Sequence, residues 1–145
     1  MYEITLEAAQ TIVTAALAEA RAKKMKPLAV AVLDARGVLK AFAAEDETSL
    51  KRAAIAQGKA YGAIALGVPS RMIAKMAEAR PHFITAVTHA VGGSLIPVAG
   101  GVLVKNQAGK LVGAVGVSGD TSDNDEVAAL AGIRAAKLVG DTGGD

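Results

Sequence analysis

The chain has no cysteine and no tryptophan, and it carries only two histidines, two phenylalanines and two tyrosines in 145 residues. Without thiols there is no disulfide framework, no thiolate nucleophile and no cysteine-ligated metal centre. The two histidines, His82 and His89, stand seven residues apart rather than at a short metal-binding spacing, so a structural zinc site is excluded. The scarcity of aromatic rings removes any platform for stacking nucleic-acid bases. Neither sign of charge dominates: 16 basic residues face 14 acidic ones, for a net charge of +2. No basic run exceeds a pair such as Lys23-Lys24, so the surface reads as a mixed solvated one and not as a nucleic-acid footprint. No apolar stretch is long enough to cross a bilayer, and the N-terminus lacks a basic start followed by an apolar run. The expected location is the cytoplasm, with no membrane partner.

Hydrophobic residues make up 52% of the chain but aromatic ones only 3%, so much of the apolar content is alanine. Buried apolar surface contributes roughly 25 cal/mol per Å², and small side chains bury little of it. A single domain spanning 1–145 therefore gains by burying further surface against copies of itself, and a homo-oligomer is expected.

The most informative stretch is Leu111 to Glu126. An apolar strand runs through Val117, with glycines at Gly113, Gly116 and Gly119. Glycine there implies that another backbone or a ligand lies close against the strand. A polar turn and a helix follow, with Ser122 or Asp123 as the capping residue and Asp125 or Glu126 three residues on. Asp120, Asp123, Asp125 and Glu126 suit the positive end of the helix dipole. Their spacing does not match a calcium loop. Ser118 lies in Gly-Val-Ser-Gly, with Asp120 two residues on, so it is not a hydrolase nucleophile elbow.

Periodicity lays out the rest. A first helix covers 5–23, with Thr5 as its cap and Leu6, Ala9, Val13, Ala16, Leu17 and Ala20 on one face. Strands at 28–33 and 38–43 flank the turn 34–37. A second helix covers about 49–66 and ends at Gly67. A third runs from Pro69-Ser70 to Ala79, and residues 82–91 form a further turn or two. An irregular stretch with Gly92-Gly93, Pro97 and Gly100-Gly101 precedes strands at 102–106 and 111–117. The last helix covers about 123–139, and the tail 140–145 is frayed. Tight turns make the strands antiparallel. The fold class is α+β, with an antiparallel sheet of about four to five strands built from two hairpins and flanked by helices.

The second helix carries Ala54, Gly58 and Gly62 four residues apart, a stripe suited to close approach by another segment or another copy. Arg52 and Lys59, seven apart, share a helix face and are candidates for holding a carboxylate. Gly100-Gly101 offers backbone amides to an anion. His82, His89 and Lys59 are candidate general acids or bases, and the two histidines are also candidate ligands for haem iron.

Three segments resemble the GlcG/HbpS family, which also includes the C-terminal domain of some cobalamin adenosyltransferases. They are Arg52 to Ala60, Ile96 to Val102, and Val112 to Gly119 followed by Asp125-Glu126. The resemblance covers nearly the whole chain in order. It implies a profilin-like α+β domain that assembles into hexamers or octamers, with haem or another tetrapyrrole bound by some members. In some relatives a histidine on the first helix ligates haem; here residues 5–23 contain none. The leading expectation is a cytoplasmic oligomeric protein that binds a small molecule, haem or another tetrapyrrole first. The alternative is a cofactor-independent lyase, isomerase or tautomerase acting on a small organic acid. A third reading is a purely structural oligomeric partner.

Overall fold

The computed structural model describes residues 3–144, so Met1, Tyr2 and Asp145 of the expected 1–145 domain lie outside the described residues. The chain runs α1 (Leu6–Ala22), β1 (Ala29–Asp34), β2 (Leu39–Ala44), α2 (Arg52–Leu66), α3 (Ser70–Ala79), α4 (Pro81–Ala90), β3 (Gly101–Lys105), β4 (Leu111–Ser118), α5 (Ser122–Ala135) and β5 (Val139–Asp141). The five strands form one sheet in the order β2-β1-β4-β3-β5, with every pairing antiparallel. The two hairpins meet through β1 and β4, where Ala31 faces Gly116.

Alternation along the strands divides the core in two. Val30, Val32, Val102, Val104, Val115 and Val117 point to one face, where α1 and α5 cover them with Ile12, Ala16, Ala128, Ala129 and Ile133. Ala29, Ala31, Leu33, Leu103 and Ala114 point to the other, where α2 lies with Ala56, Ala60 and Ala63. The small residues on this second face let α2 sit directly on the strands. A Cβ at Gly116 would stand 1.9 Å from the Ala56 carbonyl oxygen. The neighbour expected along the β4 glycines is thus α2 at Gly116, while Gly113 abuts the Leu33 carbonyl and Gly119 the Pro27 carbonyl.

Several boundaries differ from the sequence expectation. The cap of α5 is Thr121, which accepts the Asn124 N–H, and not Ser122 or Asp123. Helix α5 stops at Ala135, four residues before the expected 139, because Lys137 adopts a left-handed φ of 60°. The Lys137 and Leu138 N–H groups then bond to the Arg134 and Ile133 carbonyls, a Schellman closure with lysine in the place usual for glycine. The tail is not frayed throughout: residues 139–141 pair with β3 as a fifth strand, reinforced by Lys105 Nζ on Asp141 at 2.8 Å. Helix α2 begins at Arg52, three residues later than expected, with no side-chain cap.

Candidate functional site

Arg52 and Lys59 do share a face of α2, and that face looks onto the end of β4. Lys59 is only 2% exposed. Its ammonium donates to the Val117 carbonyl and to Asp125 Oδ2, each at 2.9 Å. Asp125, 1% exposed, accepts the Asp120 N–H on its other oxygen at 2.9 Å. Burial pushes the Lys59 ammonium below its usual range and the Asp125 carboxyl above its own, while the attraction between them opposes both shifts. The pair fastens α2 to α5 beside the end of the central strand β4.

Gly100 and Gly101 belong to the same packing. A Cβ on Gly100 would lie 2.8 Å from Lys59 Nζ, and one on Gly101 would lie 2.3 Å from the Lys59 carbonyl oxygen. Gly100 also has φ of 121°, which glycine tolerates. The Gly101 N–H donates to Ser70 Oγ at 2.7 Å. The Pro97–Gly101 turn is therefore closed against α2. Arg52 donates to the fully buried Ser118 hydroxyl at 3.0 Å and remains half-exposed. The acidic cluster is likewise engaged: Asp120 accepts from the Lys26 N–H and the Asn124 amide, while Asp123 and Glu126 pair with Arg71. Among the described residues no group of His, Asp and Glu side chains is arranged to hold a metal ion.

His82 and His89 lie on α4, both exposed, and neither imidazole has a hydrogen-bond or ion-pair partner among the described residues. Only Ile84 of α4 is buried. The stripe on α2 is filled from within the chain. A Cβ at Gly58 would meet Ile96 at 2.6 Å, and one at Gly62 would meet Leu95 at 3.2 Å.

Gly58 also borders a cleft beside α2. It has a volume of about 500 Å³, within the roughly 300–1,000 Å³ typical of small-molecule sites. Leu33 and Leu39 from the first hairpin, Gln57 and Tyr61 from α2, and Val91 and Ser94 after α4 line it, with Gly37, Gly58 and Gly92 thinning its walls. The Tyr61 ring lies against Gly37, where a Cβ would stand 3.1 Å from Cε1. Gly37 has φ of 86°, so the turn residue and the ring are fitted to each other. Sequence reasoning did not single out Gln57, Tyr61 or Ser94. A lone tyrosine four residues after a glutamine has no motif, and only the packing of the 91–96 segment over α2 makes these residues neighbours.

The sequence profile of a family described as "haem degrading protein HbpS-like" matches residues 4–134. Among solved structures, HbpS is 27% identical with a TM-score of 0.78, covering 92% of this chain and 90% of that one. The Klebsiella pneumoniae protein ORFY is 25% identical with a TM-score of 0.83, covering 92% of this chain and 90% of that one. A PduOC–haem complex has a TM-score of 0.85 over 96% of this chain and 99% of that one; at 19% identity it speaks to the fold. No curated protein sequence matches the chain.

Proposed function

The chain belongs to the HbpS-like family of haem-degrading proteins, and on that premise we propose that it is a cytoplasmic homo-oligomeric protein that binds haem or a related tetrapyrrole in the α2 cleft. The observation that carries the reading is the cleft itself. A flat apolar macrocycle needs thin apolar walls and a few polar anchors. Here three glycines thin the walls, Leu33, Leu39 and the Tyr61 ring supply apolar surface, and Gln57 and Ser94 supply hydrogen-bonding groups. The lining offers apolar contact and hydrogen-bonding groups but no cationic side chain for a carboxylate. When bound, haem supplies a redox-active iron with an axial position that protein side chains tune. HbpS and the haem complex of PduOC support the choice of ligand.

The cleft pairs no acid with a base, since its polar side chains are Gln57, Tyr61 and Ser94. Binding is therefore favoured over acid–base turnover of a small organic acid. The hexamer or octamer expected from the family draws support from exposed apolar side chains, among them Leu39, Phe42 and Leu50, the last 90% exposed. No helix among the described residues is long and apolar enough to cross a membrane.

Hemin titration followed at the Soret band tests the ligand, with small carboxylates as the competing panel. A saturable shift with hemin and none with the carboxylates is expected. Unchanged hemin spectra would refute the reading. Light scattering at micromolar concentration should give several times 14.5 kDa; a clean monomer refutes the assembly.

A further inference from the structure

We infer that β2 is a surface through which two copies of this chain join, edge to edge and antiparallel, so that one sheet runs through both. The inference rests on the proposed homo-oligomer and names a surface that builds it. β2 is an outer strand of the sheet, paired with β1 on one side. The opposite outer strand, β5, is three residues long and offers little to pair with.

The ladder fixes which backbone groups of β2 point outward. The Glu45 N–H donates to the Leu28 carbonyl at 2.9 Å, so Glu45 faces β1. Backbone groups alternate in direction along an antiparallel strand. Ala43 and Ala41 therefore face β1 as well, and the N–H and C=O groups of Phe42 and Ala44 face away from it. Among the described residues no strand lies beyond them. The irregularity in the β1–β2 register falls at Val32/Leu33, beside Lys40, so Ala41–Ala44 is the regular part. A two-fold copy that sets Phe42 opposite Ala44 of the second copy satisfies all of these outward groups reciprocally.

Side chains suit the same register. Val38, Leu39, Phe42 and Leu50, four of the eight large apolar side chains exposed among the described residues, lie on or beside this one strand. Phe42 would meet Ala44 of the second copy, large against small. Lys40, exposed at one end of β2, would come opposite Asp46 of the second copy, exposed just past the other end. Neither Lys40 nor Asp46 is in an ion pair among the described residues, whereas Glu45 is held by Arg21. Lysine on an outer strand ordinarily discourages pairing. An acid at the opposite end supplies the counter-charge and selects this register over others. A two-fold contact of this kind is closed, so it yields pairs that a second surface assembles further.

The test is sedimentation of the wild type, Ala44→Pro, Lys40→Glu and Lys40→Glu/Asp46→Lys over a dilution series. Proline at Ala44 removes an outward N–H that β1 does not use, so the protomer keeps its own ladder; circular dichroism checks the fold of each variant. Ala44→Pro and Lys40→Glu should at least halve the mass at micromolar concentration, and the double variant should restore it. Hydrogen exchange of the wild type adds a measurement independent of any variant's folding. The amides of Phe42 and Ala44 should be protected at assembling concentration and exchange freely on dilution. Free exchange of these amides in the assembled wild type, or single variants of unchanged mass, would overturn β2 as the interface while leaving the homo-oligomer standing. A double variant no heavier than Lys40→Glu would overturn the register that pairs Lys40 with Asp46. A monomeric wild type overturns both readings.

Discussion

The buried Lys59–Asp125 pair gives the sharpest test of the packing. Substituting Lys59→Met leaves a carboxylate at 1% exposure with only the Asp120 N–H for a partner. Substituting Asp125→Leu leaves an ammonium at 2% exposure with only the Val117 carbonyl. Breaking one side of a buried ion pair costs about 3–5 kcal/mol, because the remaining charge is uncompensated. If the two effects were independent, the double variant would lose about 6–10 kcal/mol, most of the stability of an ordinary domain. Removing both charges together avoids that penalty. What remains is the cost of leaving the Asp120 N–H and the Val117 carbonyl without these partners, about 1–3 kcal/mol each, offset in part by the new apolar contact. The double variant should therefore be no less stable than either single one, with a coupling energy of at least 2–3 kcal/mol in a double-mutant cycle. Urea unfolding followed by circular dichroism, at one protein concentration to hold any assembly fixed, measures it. Should a single variant be too unstable to purify, Asp125→Asn gives a milder arm of the same cycle. Losses that add to within about 0.5 kcal/mol would show that the two charges do not depend on each other, and the argument would fail.

Gly116→Val should destabilise the fold by about 3 kcal/mol or more, since its Cβ would meet the α2 backbone at Ala56 and not a side chain that can move. Ser118→Ala should cost only about 1 kcal/mol, because the half-exposed Arg52 guanidinium that donates to it can turn to water; similar urea midpoints for the two variants would contradict this. Asp120 is held down at about 2, first by the Lys26 backbone N–H and then by the Asn124 amide. Because its folded value lies below the ordinary 3.8, its contribution is complete above about pH 4 and is lost as pH falls toward 2. Asp120→Asn should flatten that acid limb in a series of urea midpoints, and an unchanged slope would count against the assignment.

The elements with local signals were legible. Thr5 caps α1: its hydroxyl accepts the Ala8 N–H, as the sequence suggested. Gly67, at φ of 71°, ends α2 as expected. The failures share a physical cause. Lys24 and Lys137 take left-handed positions usually read from glycine, so the ends of α1 and α5 carry no residue signature. The fifth strand is three residues long, and its apolar content is a single valine, Val139; it forms only because β3 offers an unpaired edge. At the site, spacing placed Arg52 and Lys59 on one face, and the structure sets Lys59 against Gly100 and Gly101 and Arg52 on Ser118. Spacing says nothing of depth, however. Lys59 meets its counter-charge on a helix 66 residues away in sequence, and no local pattern announces such a partner.

The uncovered strip beside α2 follows from the same close packing that buries Lys59. Strands lie about 4.8 Å apart and a helix is about 10 Å wide, so one helix shields two or three strands of a sheet. On the α1 and α5 face two helices share the five strands. On the opposite face α2 takes β4, β1 and β3, drawn down by glycine and alanine contacts, and β2 is left at the margin. Phe42 pairs with Ala31 and Leu39 with Leu33, so both project to this face, and both are exposed. Leu39 is also a wall of the cleft. An edge strand with exposed apolar residues is an open template for another chain, and a cleft beside it is an open site for a ligand. The two proposals made for this chain, a tetrapyrrole in the cleft and further copies around it, thus compete for or share one surface. Leu39→Lys separates them: it places a charge on the strand and at the mouth of the cleft together, so hemin affinity and molecular mass should both fall if the surface is shared. Loss of one with the other intact would assign the strip to a single partner.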